Sequence, residues 1–289
     1  RTEDKNQGRL HAIDRKVLKG VSLILVVTVI GLLTVSRWEG WRLVNEPLHA
    51  TMEALGAMTA IAMATLLLGK KWEEYSGKRF LIAMGFLGMG ILDIFHAASR
   101  PGEEFVFLHG VASLVGGFLF AMVWVPRFTS DRYAAWRSWI PYVVITASVL
   151  VWIWTLVAPE KLPVMLRNGE YTTNAWAINF SAGVLFVAAS GRLMLDFYRF
   201  KKHAIYLFAL IALLFGLAEL PFTFSSLWNS EWWFYHLLRL VAYLLVGGLV
   251  VREYRQAEDE RRKAEMRFVK IVQITPEAII SVNEAQCIT

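Results

Sequence analysis

Four of the six histidines in this 289-residue chain, His49, His96, His109 and His236, lie inside long apolar runs. Three carboxylates, Glu53, Asp93 and Glu219, share those runs and reach the same depth when successive runs alternate in direction. An ionisable group at the centre of a lipid-spanning helix costs about 2.5–3.5 kcal/mol on insertion scales, so it marks a functional site by default. His49 and Glu53 are four residues apart, and Asp93 and His96 are three apart in GILDIFHAAS. Each pair therefore shares one helix face. His109 opens the next run and Glu219 closes the seventh, just before Pro221. His236 stands one turn into the eighth, with Arg239 three residues on. Carboxylate and imidazole pairs at these spacings recur in the metal sites of helix bundles.

Mixed imidazole and carboxylate ligands suit Zn, Fe, Mn or Cu(II), and the nearby Met52 and Met89 keep copper in view. A transition metal is the first expectation. His49, His96 and His236 are its direct ligands, with His109 a further candidate. Glu53 and Asp93 serve as ligands or hold the imidazoles in orientation. Glu219 and Arg239 couple the site to the last helix. Haem b ranks second; it needs two facing imidazoles and a flat apolar slot. His49 with His96, or His96 with His236, supplies such a pair. Two other readings stay open. The histidines can act as interhelical hydrogen-bond partners, worth about 0.6–2 kcal/mol each. They can also sense protons.

The elements that must position these groups are membrane spans. The chain is 56% hydrophobic, 13% aromatic and 19% charged, with a mean hydropathy of +0.44. Soluble domains carry about 25% charged residues. A spanning helix needs about 20 apolar residues. Runs at 17–36, 47–69, 79–98, 104–125, 138–158, 175–196, 202–223 and 231–252 meet that length. The expected fold is an all-α polytopic membrane protein, a bundle of about eight transmembrane helices. No cleavable signal peptide is read, because the chain opens on a polar, charged stretch before a full-length span. Lys and Arg number 16 in the segments on one side and 5 in the loops on the other. Basic loops stay cytoplasmic, which places both termini inside. Trp38 or Trp41, with Trp228, Trp232 and Trp233, would anchor the outer interface. The net charge of +6 then reflects topology and contact with anionic lipid. A nucleic-acid partner is disfavoured, since the basic residues form no single stripe. The single Cys287 excludes an intrachain disulfide framework and a cysteine-cluster metal site.

After residue 252 the pattern changes. The last run continues without Gly or Pro into a charged helix at 253–273. Val250, Tyr254, Ala257, Arg261, Ala264, Phe268 and Ile271 alternate steps of four and three. This is the seam of a parallel coiled coil and predicts a homodimer, with Arg261 a polar interruption that weakens the seam. Pro276 ends the helix, 278–282 is β-prone, and Asn283 to Gln286 reads as a hairpin turn. This lead-in helix, strand and turn resembles the opening of a PAS domain, cut short at 274–289.

Four motifs in order resemble the bacterial membrane-associated sensor (MASE-type) domains. They are His49-x-x-x-Glu53, GILDIFHA at 90–97, Glu219 late in the seventh run, and YHLLRLVAYLL at 235–245. The stretch FHAASRPGEE departs from the tyrosine- and glycine-rich loop expected after the aspartate. The resemblance covers residues 17–252 and implies a polytopic, dimeric sensor bundle in a bacterial inner membrane; the chain then reads as a tail at 1–16, that bundle, a signalling helix at 253–273 and the PAS-like start. It also implies a downstream cytoplasmic output domain, a histidine kinase or diguanylate cyclase; no catalytic motif stands in the residues given. The alternative is an intramembrane metal-dependent hydrolase, with a metal-bound water as nucleophile and Glu53 or Asp93 as general base.

Overall fold

A computed structural model describes residues 2–38, 40–69, 76–126, 137–222 and 224–274. The chain divides into two units, Arg1–Gly247 and Gly248–Thr289. The first unit is a helical bundle. Its helices are α1 (Thr2–Val35), α2 (Glu46–Gly69), α3 (Ser76–Ala98), α4 (Glu103–Ala121), α5 (Ile140–Val157), α6 (Thr173–Phe200), α7 (His203–Phe222) and the opening of α8 (Ser230–Ile274). Among the described residues, eight helices are long and apolar enough to cross a membrane, and they match the eight runs read from hydropathy. Helix α1 begins at Thr2, so the polar segment expected as a tail is helical and continuous with the first run.

Local chemistry sets the helix ends. Pro141 sits in the first turn of α5, where its missing N–H is not needed. Thr172 caps α6, its side chain accepting from the Ala175 N–H. Lys201 closes that helix in the left-handed conformation. Between α5 and α6, strands β1 (Leu166–Arg167) and β2 (Glu170–Tyr171) pair antiparallel across Asn168-Gly169. Both turn residues have positive φ, 55° and 83°, as a two-residue hairpin of matching twist requires. This Asn-Gly pair is a local turn signal, set between two apolar spans.

Burial separates inner helices from outer ones. The apolar window of α3 is 78% buried, whereas those of α1 and α5 are each 11% buried. Helices α2, α3, α4, α6 and α7 pack in successive pairs, α2 on α3, α3 on α4, α4 on α6 and α6 on α7. Small residues permit the close approaches. A Cβ on Gly117 would stand 2.8 Å from the backbone carbonyl of Ala182, so α4 and α6 meet nearly backbone to backbone. At one end, Phe105, Met165, Phe222, Trp228, Trp232 and Tyr235 pack together. There the hairpin segment joins the ends of α4, α7 and α8.

The second unit is described up to Ile274 and is helical throughout that stretch. Arg261 and Arg262 pair with Glu258, and Arg261 with Glu265, at helical spacing. Exposed pairs of this kind contribute about 0.3–0.5 kcal/mol each. Tyr254 and Phe268 of the predicted seam are 64% and 67% exposed. Pro276, the β-prone run at 278–282 and the turn at 283–286 lie outside the described residues.

The glycine contacts generate a paired prediction. Gly117→Val should destabilise the bundle by about 1–3 kcal/mol, because a backbone carbonyl cannot yield to the added carbons. Gly191, with nothing within 4 Å of an added Cβ, should accept Ala and gain about 0.5–1 kcal/mol of helix stability. Thermal unfolding in detergent checks both signs.

Candidate metal centre

The four buried histidines converge. His49 lies in the first turns of α2, His96 near the end of α3, His109 early in α4 and His236 in the second turn of α8. All four are at most 2% exposed, as are Asp93, Glu219 and Arg239, and Glu53 is 3% exposed. The ring centroids of His49 lie 5.1 Å from His96 and 4.7 Å from His236.

The hydrogen bonds of two rings fix their tautomers. His96 Nδ1 is 2.8 Å from the Phe105 carbonyl, and His236 Nδ1 is 2.7 Å from the Trp232 carbonyl. A carbonyl only accepts, so both Nδ1 atoms donate. In a neutral ring the Nε2 atom then carries a bare lone pair. His96 Nε2 is buried with no hydrogen-bond partner among the described residues. His236 Nε2 meets His49 Nε2 at 3.0 Å. Glu53 Oε1 is 3.6 Å from His236 Nε2 and 4.0 Å from His49 Nε2, while Glu53 Oε2 has no hydrogen-bond partner. Ligand atoms of His49, Glu53 and His96 all lie within 4.8 Å of one another.

These separations fit a small ion. Two nitrogens bound to one metal at about 2.0–2.1 Å stand about 2.9–3.4 Å apart for bond angles near 90–110°. The His49–His236 pair already meets that distance. Imidazoles that donate Nδ1–H to backbone carbonyls are the usual form of a metal-binding histidine. Haem fits less well. The imidazoles pack directly on one another, and Phe105 and Trp232 lie 4.1 Å and 3.8 Å from the His96 and His236 ring centroids. A porphyrin needs a flat slot between its axial ligands.

A second layer adjoins this set and centres on Arg239. Arg239 Nη2 pairs with Asp93 Oδ2. Tyr243 closes that triangle, accepting from Nη2 at 3.1 Å and donating to Asp93 Oδ2 at 2.7 Å. Nη1 donates to the Tyr235 hydroxyl at 2.6 Å and to Ser113 Oγ at 3.3 Å. It also lies 3.1 and 3.2 Å from the two ring nitrogens of His109. The Tyr235 hydroxyl meets His109 Nε2. Ser113 donates to Glu219 Oε1 at 2.5 Å. Glu219 and Glu53 face the guanidinium at 3.8 and 3.9 Å. Asp93 and His109, expected among the ligands, thus sit chiefly around Arg239. Asp93 pairs with the guanidinium and Tyr243, while the imidazole of His96 is held by a backbone carbonyl.

Other expectations meet different surroundings. Trp228 and Trp232 are 7% and 1% exposed, so they wall the histidines instead of anchoring an interface; Trp38 and Trp41 are exposed. Trp228 packs against His49 and Trp232 at a positive φ of 69°. A bulky residue there carries strain of about 1–3 kcal/mol, which its packing must hold. Asp196 pairs with Arg192 at 3.2 Å, as its spacing suggested, and also with Lys78 of α3 at 2.6 Å. Tyr235, Tyr243 and Ser113 join the site beyond the residues expected from the sequence. The two tyrosines lie four residues either side of Arg239, a spacing that puts all three on one helix face.

Comparison of the chain with protein-family models, with curated proteins and with solved structures finds no match. The site therefore stands on its own geometry.

Tyr243→Phe removes the hydroxyl that joins Arg239 to Asp93. It should cost about 1–3 kcal/mol, as loss of one partner in a buried network does. Ser226→Ala, which removes only an exposed bond to Glu170, should change stability by less than about 0.5 kcal/mol. Thermal unfolding of both variants tests the ranking.

Proposed function

We propose that this chain is the multi-pass input region of a bacterial signalling protein of the membrane-associated sensor type. Its His49, Glu53, His96 and His236 cage takes a divalent transition metal ion. The observation that carries this reading is the Nε2 lone pair of His96, buried without a partner among the described residues, beside the His49–His236 contact. His96 and His236 each commit Nδ1 to a backbone carbonyl; ligand atoms of His96 lie within 4.8 Å of those of His49 and Glu53, and His236 Nε2 lies 3.0 Å from His49 Nε2 and 3.6 Å from Glu53 Oε1. Three imidazoles and a carboxylate suit Zn, Fe, Mn or Cu(II).

Two features favour sensing over hydrolysis. A catalytic metal keeps an open coordination position for water and substrate, whereas these ligand side chains are almost wholly buried under Trp228 and Trp232. One ligand also sits on α8, the helix that runs on to Ile274. An ion that binds one arrangement of α2, α3 and α8 more tightly than another shifts the population between them. The exposed Tyr254 and Phe268 fit a seam that closes against a second copy, with lipid around the apolar helices and an output domain after the PAS-like start. In this reading both termini are cytoplasmic.

Metal content of the detergent-purified chain, read by mass spectrometry, tests the cage. One ion per chain is expected, lost in the His49→Ala/His96→Ala double variant. Metal at the level of that variant would sink the proposal. The dimer has its own test in a Cys287→Ser background. Ala257→Cys and Ala264→Cys should form disulfide-linked dimers in membranes, whereas Asp259→Cys, on the far face of the helix, should not. Equal crosslinking at all three positions would remove the seam.

A further inference from the structure

The cage is flanked by a second set of ligand-type atoms. Glu53, Asp93 and His109 also lie within 4.8 Å of one another. Glu53 belongs to both sets. Helix α3 contributes to both as well, since Asp93 and His96 are three residues apart. Two-metal carboxylate centres in helix bundles use this plan, with carboxylate and imidazole pairs at i, i+3 projecting inward from several helices. Their ions stand about 3.5–4 Å apart.

Here the second position already holds a cation. Arg239 Nη2 pairs with Asp93 Oδ2 and is 3.9 Å from Glu53 Oε2. Nη1 is 3.1 Å from His109 Nδ1 and 3.8 Å from Glu219 Oε1. The guanidinium does not exhaust the acceptors around it. Asp93 Oδ1, Glu53 Oε2 and Glu219 Oε2 are all buried without a hydrogen-bond partner among the described residues. A guanidinium offers five donors in a planar fork, but its Nε–H is also without a partner here. Only the two Nη ends are engaged, so the group acts nearly as a compact charge. Three carboxylates facing one guanidinium would carry surplus negative charge, and burial makes that costly.

We propose that Arg239 is a built-in cation in the second position of a Glu53-bridged two-metal cage, and that it holds the centre to one metal ion. This rests on the assignment of His49, Glu53, His96 and His236 as metal ligands. Arg239 is then a specificity-determining residue: it sets the nuclearity of the site and touches no metal itself. Removing it exposes Asp93, His109 and Glu53 as a vacant set for a second divalent ion.

The experiment is zinc stoichiometry of the full chain in detergent, saturated with Zn2+ and freed of excess. The wild type should hold one zinc, Arg239→Met two, and Arg239→Met/Asp93→Asn one. A wild type that saturates at two overturns the proposal, because the guanidinium would not be blocking the second position. Arg239→Met that folds and saturates at one overturns it too, while leaving the one-metal reading intact. A wild type with no zinc removes both. Where Arg239→Met aggregates, zinc in the growth medium should restore a monodisperse protein with two ions. A variant that stays aggregated with zinc present overturns the proposal, since a second ion would then fail to replace the guanidinium.

Discussion

The structure at this end of the bundle depends on one constraint, the burial of Arg239. A guanidinium in an apolar interior cannot lose its charge at ordinary pH, so its surroundings must supply the counter-charge and the acceptors. Asp93 on α3, Glu53 on α2 and Glu219 on α7 supply the charge. Tyr235 and Tyr243 on its own helix, with Ser113 on α4, supply further acceptors. One side chain thereby ties α8 to four other helices. Breaking such a pair by removing one partner leaves an uncompensated buried charge, which costs about 3–5 kcal/mol.

The histidine cage follows from that anchoring. Arg239 and His236 are three residues apart on α8, so the face that meets Asp93 also turns His236 toward His49. Trp232, one turn earlier, gives its carbonyl to His236 and its ring to the wall beside it. Phe105 does the same for His96. Each aromatic residue thus fills space with its side chain and orients an imidazole with its backbone. Glu53 links the two layers. It faces His49 and His236 on one side and the guanidinium on the other. A cation drawn to Glu53 alters the field at Arg239, and both His236 and Arg239 stand on α8.

Glycines make the tight packing possible. The ring of Tyr243 occupies the place where a Cβ on Gly56 would stand. Without that vacancy the tyrosine could not reach between Arg239 and Asp93. Close approach of α4 and α6 at Gly117 draws the helices together in the same way. The apolar face and the polar core are therefore coupled, because the polar side chains reach one another only across short interhelical distances.

The eight long apolar helices among the described residues, their approximate ends and the grouping of the ionisable residues were legible in the amino-acid sequence. Hydropathy is a sum over neighbouring residues, and the spacing of His49 with Glu53 or Asp93 with His96 fixes a shared face through the helical repeat alone. The Asn168-Gly169 turn was equally local and readable. Partner choice was not. Whether Asp93 meets an imidazole or Arg239, and whether Trp232 faces lipid or His236, depends on the rotation of each helix about its axis. That rotation is set by contacts between residues far apart in the chain, such as His49 with His236 and Ser113 with Glu219. Tautomers are decided at the same level, since only the folded chain brings the Phe105 and Trp232 carbonyls to Nδ1 and leaves Nε2 bare. The sequence determined which groups must be buried; the tertiary structure decided which of them face one another, because pairing acts across helices and periodicity acts along them.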